Sequence, residues 1–234
     1  MSGLRKRTIL IAVLAAAFLC VGAVTVAAVA RGELCITSAA RPEDRYAGHD
    51  VNAPDASSPA QTQTSDQDGD GIPDGQDILQ GALDYVATRP RYHSAYYAGG
   101  YPTDGCGVCT DLVAAACRAA GYDLQKLVDA DVRARPEAYE DGASPDPNID
   151  YRRVRNLRAY FRHAVTLLTT DLHEIDQWQP GDIVVFSGHV GIVSDRRNER
   201  GVPYLIHHAN PFQLRYEEDV LESYDDITEH VRLP

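Results

Sequence analysis

One cysteine and two histidines stand out by type and order. The segment Gly107-Val108-Cys109-Thr110-Asp111-Leu112-Val113 opens a helical apolar pattern. About eighty residues later Gly188-His189-Val190-Gly191-Ile192-Val193 reads as a strand, and Leu205-Ile206-His207-His208 reads as the next one. A thiol is a poor nucleophile until it becomes a thiolate, and a helix N-terminus or an imidazole lowers its pKa by stabilising that charge. A cysteine opening a helix, followed by histidines on two strands, is the order a thiol hydrolase needs. Cys109 is then the nucleophile, and His189 the base that takes the thiol proton and later protonates the leaving amine. On a strand His189, Gly191 and Val193 share one face, and the glycine leaves room beside the imidazole. Cys106 and Cys109 also spell C-x-x-C, which keeps a redox pair or half a zinc site open; there is no second C-x-x-C and no thioredoxin-like strand ahead of it.

A second constellation is Asp66-Gln67-Asp68-Gly69-Asp70-Gly71-Ile72-Pro73-Asp74-Gly75-Gln76-Asp77. Asp66, Asp68, Asp70, Asp74 and Asp77 fall at positions 1, 3, 5, 9 and 12 of a twelve-residue loop. Gly71 sits at the sharp turn and Ile72 offers its backbone carbonyl at position 7. This is the ligand spacing of an EF-hand-type structural calcium loop. It ends in Asp77 instead of the longer Glu, and no entering helix precedes it. The loop-then-helix arrangement resembles dockerins and thrombospondin type 3 repeats. The competing reading is an acidic linker.

These groups need a compartment and a scaffold. Arg5, Lys6 and Arg7 precede a run from Thr8 to Ala30 that carries no charge. That run is long enough to cross a bilayer. The basic residues 1–7 place the N-terminus in the cytoplasm and the rest outside. Ala28-Val29-Ala30 is also an acceptable cleavage site, so the domain is either anchored by 8–30 as a single-pass membrane protein or secreted after cleavage. Cys20 lacks the small residues of a lipoprotein box. The net charge is −12, and the first thirty residues contribute three basic and no acidic groups, so the exported part is more negative still. Such a charge excludes nucleic acid and anionic lipid as electrostatic partners. An exported compartment favours disulfides among Cys35, Cys106, Cys109 and Cys117. Cys117 shares a helical face with Val113, Ala116 and Ala120, which suits a small buried thiol.

Residues 31–65 are poor in bulky apolar side chains and read as a flexible stalk. After the loop at 66–77, helices are expected at Asp77–Thr88, Val108–Ala120, Leu124–Arg133 and Arg152–His163. A polar loop covers Pro136 to Asp150. The period then changes. Ile183–Phe186, Val190–Val193 and Tyr204–Ile206 read as strands joined as hairpins, with a last strand at Ile227–Leu233. Helices first and an antiparallel sheet after them give an α+β domain over 78–234. Trp178, Phe186 and Tyr204 read as core. His49, His93, His163, His173 and His230 read as surface residues. Asp146, Asn148, Asp150 and Arg152 either line a substrate groove or hold their loop through turn bonds.

The motif series Tyr96-Tyr97-Ala98-Gly99-Gly100, the Cys109 helix, Gln179-Pro180-Gly181-Asp182-Ile183-Val184-Val185-Phe186, His189-Val190-Gly191-Ile192-Val193 and Ile206-His207 resembles the NlpC-type bacterial cell-wall cysteine peptidases. It looks most like an uncharacterised branch with a Cys-Thr-Asp nucleophile motif and a stretch like Pro145-Asp146-Pro147-Asn148-Ile149-Asp150-Tyr151-Arg152-Arg153-Val154. The resemblance implies a papain-like fold, bacterial origin and hydrolysis of an amide bond in peptidoglycan stem peptides through a thioester acyl-enzyme, without a catalytic cofactor. It places the residue that orients the imidazole at His207, with His208 or Asn210 as alternatives. It places an oxyanion-side tyrosine at Tyr96, helped by the backbone N–H of Cys109. The common family motif is Asp-Cys-Ser-Gly, whereas this chain has Val108-Cys109-Thr110-Asp111; Asp111 in the first turn favours the helix dipole. The expectation is a monomeric membrane-anchored hydrolase whose partners are peptidoglycan peptides. The rival is a calcium-stabilised surface module that binds wall peptides without cutting them.

Overall fold

The computed structural model describes residues 63–234. The expected cytoplasmic segment 1–7, the span 8–30 and all but the last three residues of the stalk lie outside them. Among the described residues no helix is long and apolar enough to cross a membrane. The last stalk residues belong to the domain: Gln63 Nε2 donates to the Leu233 carbonyl at 2.9 Å, and Ser65 O accepts from Asp74 N at 2.8 Å.

The architecture is α+β. Helix α1 spans Asp74–Ala87, and two-residue strands β1 (Arg91–Tyr92) and β2 (Cys106–Gly107) pair in parallel. Helices α2 (Cys109–Ala119), α3 (Leu124–Ala134) and α4 (Val154–Ala164) follow. Then come β3 (Thr166–Leu168), β4 (Ile183–Phe186), β5 (Val190–Arg197), β6 (Pro203–Ile206), β7 (Glu217–Glu218) and β8 (Ile227–Arg232). These six form one antiparallel sheet in the order β3-β8-β4-β5-β6-β7. The expected helices and hairpin strands are present, with ends shifted by a few residues. The shortest strands, β1, β2, β3 and β7, carry too few residues to show a period in the sequence.

Alternation sorts the sheet residues between two cores. Ile183, Val185, Val190, Ile192, Ile206 and Val231 face the helices, where they meet Ile78, Leu83, Leu112 and Phe161. Val184, Phe186, Val193 and Leu205 face the other way and pack with Trp178 and Leu221. Helix α1 buries Ile78, Leu79, Ala82, Leu83 and Val86 on one stripe. It approaches α2 so closely at Gly81 that a β-carbon there would lie 2.6 Å from Ala119 Cβ. The small residues of α2 permit this approach. Cys117 is fully buried in the same seam, as its helical face indicated.

Two expectations are corrected by the packing. His230 is not a surface residue: it is fully buried, stacks on Trp178 at 3.9 Å, and its Nε2 meets Asp182 Oδ2 at 2.9 Å. Its place on central strand β8 outweighs its polarity, because Asp182 and the Thr169 carbonyl satisfy both ring nitrogens. Gly191 does leave room, but for a different neighbour. A β-carbon there would lie 2.8 Å from Leu205 Cδ1 and 2.9 Å from the Ile206 carbonyl.

The turn Gln179–Asp182 locks α1 against the sheet. Gly181 has φ +88, and a β-carbon on it would lie 2.1 Å from the Gly75 carbonyl. Gly181→Ala therefore meets both a forbidden φ and a backbone clash. It should destabilise the fold by more than about 1 kcal/mol, a loss of at least about 2–4 °C in Tm, measurable by thermal melting. An unchanged Tm would mean that α1 and this turn separate freely.

Candidate thiol site

Helix α2 begins at Cys109, as the apolar spacing of Leu112, Val113, Ala116 and Cys117 requires. Its N-terminus is held by Asp111. The Asp111 carboxylate accepts the Val108 N–H at 2.8 Å, the reciprocal half of a capping box. The same carboxylate takes Arg152 in a bidentate pair, Nε to Oδ1 at 2.7 Å and Nη2 to Oδ2 at 3.0 Å. Both side chains are almost fully buried. Arg152 also donates to the Ala95 carbonyl at 2.5 Å, and Thr110 Oγ1 donates to the Arg152 carbonyl at 3.2 Å. The helix end that presents Cys109 is thus tied to segments 95–97 and 150–152.

Cys109 keeps a partial opening to solvent. Its sulfur is contacted by the backbone N–H of Val190, the peptide that follows His189, and by those of Thr110 and Cys109 itself. From His189 a chain of polar contacts runs to Glu218. His189 Nε2 meets His207 Nδ1 at 2.8 Å, and His207 Nε2 meets Glu218 Oε2 at 3.0 Å. Gln213 Nε2 donates to the His207 carbonyl at 3.1 Å and toward Glu218 Oε2 at 3.4 Å. A carboxylate accepts only, so it draws the proton of His207 onto Nε2. His207 Nδ1 is then an acceptor, His189 holds its proton on Nε2, and His189 Nδ1 carries a lone pair.

The register decides which histidine meets His189. Ile192 pairs with Ile206, so His207 and His189 lie on the same side of the sheet and His208 on the other. His208 is fully buried and its Nδ1 meets the Tyr85 hydroxyl at 3.0 Å. Asn210 Oδ1 accepts from Phe212 N at 2.9 Å in a turn. Of the three alternatives His207 is the one bonded to His189. Glu218 and Gln213 are not visible in the sequence; their short strand and loop carry no period that points at a site.

Charge in the resting site differs from the expectation. Burial pushes the Cys109 thiol up to about 11, and the backbone N–H groups and Asp111 act in opposite directions on it. Burial, then the neighbouring His207 and His208, pull His189 down to about 3. The helix N-terminus does favour the thiolate, but desolvation outweighs it. Thiol and imidazole are therefore both neutral at rest.

Tyrosines lie near both groups. Tyr224 is tilted against Phe186 at 4.3 Å and stacks over His189 at 6.3 Å, and burial, then Glu218, Asp226 and Cys109, raise its pKa. Tyr92 meets His208 edge-on at 5.3 Å, and burial, then Cys109, raise its pKa. Tyr96 is placed elsewhere: it is 57 % exposed, and its hydroxyl accepts from Asn148 Nδ2 at 3.0 Å. Asn148 Oδ1 accepts the Gly99 N–H, Asp146 Oδ1 the Asn148 N–H, and Asp150 Oδ2 the Asp146 N–H. The loop is held by turn bonds, and buried Asp150 and Arg152 do not line a groove.

In the acidic loop, Asp66 accepts the N–H groups of Gly69, Asp70 and Gly71, and Asp70 accepts that of Ile72. Gly71 has φ +92, the turn its position demands. Oxygens of Asp66, Asp68 and Asp70 all lie within 4.8 Å of one another. Asp77 Oδ2 is buried without a hydrogen-bond partner. Burial, then Asp70, Asp68, Asp74 and Asp66, raise Asp77 to about 6. Asp74 departs from the pattern: it accepts from Gln67 N at 2.8 Å and from the Tyr122 hydroxyl at 2.7 Å, turned toward the domain. Ile72 and the acidic set thus have the winding and the surplus negative charge of a cation loop.

Comparison with known proteins bears on the family. Residues 79–233 match the family model described as "Domain of unknown function (DUF1287)". The "Uncharacterized protein YijF" of Escherichia coli (strain K12) is 37 % identical over 157 residues, covering 62 % of this chain and 75 % of that protein. No solved structure matches. These findings overturn the expected NlpC-type membership. The order cysteine, histidine, histidine follows from the chemistry and is not private to one family, and the Asp-Cys-Ser-Gly motif is absent.

Removing one partner of a buried bidentate pair leaves an uncompensated charge, at a cost of about 3–5 kcal/mol. Arg152→Met should destabilise the domain by that order in urea titration. An effect below about 1 kcal/mol would show that the pair does not anchor the α2 N-terminus.

Proposed function

We propose, from the premise that this chain belongs to the DUF1287 family, that it is a cysteine hydrolase acting on an amide bond through a thioester acyl-enzyme. The observation that carries the reading is the polar chain Glu218–His207–His189, which ends in a bare imidazole nitrogen at the strand whose Val190 N–H meets the Cys109 sulfur. A helix-borne cysteine set against histidines on an antiparallel sheet is the papain-like order.

Because both groups rest neutral, the reading uses general-base catalysis instead of a standing ion pair. His189 Nδ1 takes the Cys109 proton as the sulfur attacks the carbonyl carbon. The imidazolium so formed is stabilised through His207 by Glu218, and it passes the proton to the departing amine. A water molecule, deprotonated by the same nitrogen, then cleaves the thioester and restores the thiol. The backbone N–H groups of Val190, Thr110 and Cys109 beside the sulfur are the donors proposed for the oxyanion. Tyr224 and Tyr92 take the neighbouring place expected of Tyr96. The substrate class proposed is the peptide amides of peptidoglycan stems, which the export expected from the N-terminal sequence would bring within reach. The protonated resting thiol favours a second reading, a module that binds such peptides and does not cut them.

We propose in addition that Asp66, Asp68, Asp70, Ile72 and Asp77 hold a structural Ca2+. The buried, unpartnered Asp77 oxygen supports this. The loop packs on the C-terminal end of α2, where a β-carbon on Gly121 would lie 3.1 Å from Asp68 Cβ. A cation there joins the residues before α1 to the catalytic helix.

Digestion of defined muropeptides followed by mass spectrometry tests the hydrolase. Wild type should release product, and Cys109→Ala or His189→Ala should lose at least about 10³-fold in rate with the melting temperature kept. Glu218→Gln should lose roughly 10²-fold in kcat. The acid limb of kcat/KM should lie well below the ordinary imidazole value, because His189 stays neutral down to about 3. Iodoacetamide should modify Cys109 slowly at neutral pH and faster as pH rises toward 11. Binding without product by both wild type and Cys109→Ala would establish the second reading. For the loop, calcium at ten times its Kd should stabilise the domain by about 1.4 kcal/mol. Chelator should reverse this, and Asp77→Asn should weaken it; a melt indifferent to calcium removes the ion.

A further inference from the structure

A second cluster lies on the short parallel ladder just before the Cys109 helix. His93 follows β1, Asp104 precedes β2, and Cys106 opens β2. One ligand atom from each of the three lies within 4.8 Å of the other two. The backbone makes this juxtaposition rigid. Arg91 pairs with Cys106 and Tyr92 with Gly107, and the His93 N–H donates to the Gly107 carbonyl at 3.1 Å. Gly105, with φ +72, turns the chain so that Asp104 and Cys106 converge. The donor set is an imidazole, a carboxylate and a thiol, which differs from the oxygen-only loop at 66–77.

The surroundings are those of a metal site. The Tyr97 hydroxyl donates to Asp104 Oδ2 at 3.1 Å and Oδ1 at 3.2 Å, and the Cys106 N–H donates to Asp104 Oδ1 at 3.0 Å. Such partners orient a ligating carboxylate from outside the coordination sphere. Arg91 Nη2 donates to the Asp104 backbone carbonyl at 2.9 Å, which keeps that cation on the backbone and off the carboxylate. Cys106 is buried, His93 is half-buried and Asp104 is exposed, so the cluster has an inner wall and an outer entrance. Cys106 is in no disulfide.

We infer that His93, Asp104 and Cys106 form a binding site for a borderline transition-metal ion, of which Zn2+ is the best match. One nitrogen, one oxygen and one sulfur suit Zn2+, whereas Ca2+ and Mg2+ prefer oxygen alone. Three protein ligands leave the fourth tetrahedral position to water. On binding, Cys106 gives its proton to solvent and becomes a thiolate, so the two negative ligands balance the ion's charge. The ion would clamp β1 to β2 and so brace the loop 93–105, whose Tyr97 ring lies 5.0 Å from the Arg152 guanidinium. The inference does not depend on the hydrolase reading.

The test is equilibrium dialysis of the full-length protein against Zn2+ with excess Ca2+ present to saturate the acidic loop. One Zn2+ per chain is expected. His93→Ala and Asp104→Asn should each weaken it at least tenfold, and Tyr97→Phe about tenfold. Co2+ in place of Zn2+ should give a thiolate-to-metal absorption band that Cys106→Ser loses and Cys109→Ala keeps. His93 is partly exposed, so His93→Ala tests the site even if Cys106→Ser fails to fold. No retained metal, or a band lost in Cys109→Ala and kept in Cys106→Ser, would overturn the inference; the latter would move the metal to the Cys109–His189 pair.

Discussion

The buried Asp111–Arg152 pair is the constraint on which the thiol site rests. Asp111 closes the first turn of α2 by accepting the Val108 N–H, and Arg152 holds both of its oxygens. Taking such a pair out of water costs several kcal/mol per ion, so stabilisation alone does not account for it. Its effect is positional. Arg152 reaches the Ala95 carbonyl with its remaining nitrogen, and Thr110 returns a bond to the Arg152 carbonyl. Three segments far apart in sequence converge on the turn that carries Cys109. The carboxylate also opposes a thiolate on Cys109, so the pair positions the sulfur and does not activate it.

In the proposed hydrolase, activation has to come from the histidines. A half-buried thiol and a half-buried imidazole both shed charge, because a low-dielectric surrounding penalises each ion before it meets the other. That leaves proton transfer during attack as the route of lowest charge. The imidazolium of the proposed mechanism would be backed by His207 and, through it, by the partly exposed Glu218, whose position Gln213 helps hold. The path runs from His189 to the partly exposed Glu218, so a charge on the imidazole would be offset where water can reach.

Residues with a strong local signal are legible in the sequence. The α1 and α2 stripes, the hairpin strands around Ile183–Phe186 and Val190–Arg197, and the small buried Cys117 all follow from period and turn chemistry. The acidic loop is visible because its ligands lie close together in the chain. Three expectations fail for a common reason. Local pattern makes His230 a surface residue, makes Tyr96 the tyrosine of the site, and lets the helix dipole at Cys109 stand without the burial that opposes it. In each case the deciding neighbour lies far away in the chain: Trp178 and Asp182 for His230, Asn148 for Tyr96, and the packed sheet and tyrosines for the thiol. The family likeness fails differently, since a shared order of residues does not establish shared descent.

By itself the sequence determined the class of fold, the helix that begins at Cys109, and the order of thiol and histidines, since each is read from local periodicity and from position along the chain. Only the tertiary structure decided that His207 and not His208 meets His189, that Glu218 ends the chain of polar contacts, and that thiol and imidazole rest neutral. Strand register places alternate residues on opposite faces, and desolvation depends on everything packed around a group. Both are properties of the assembled chain and of no single segment.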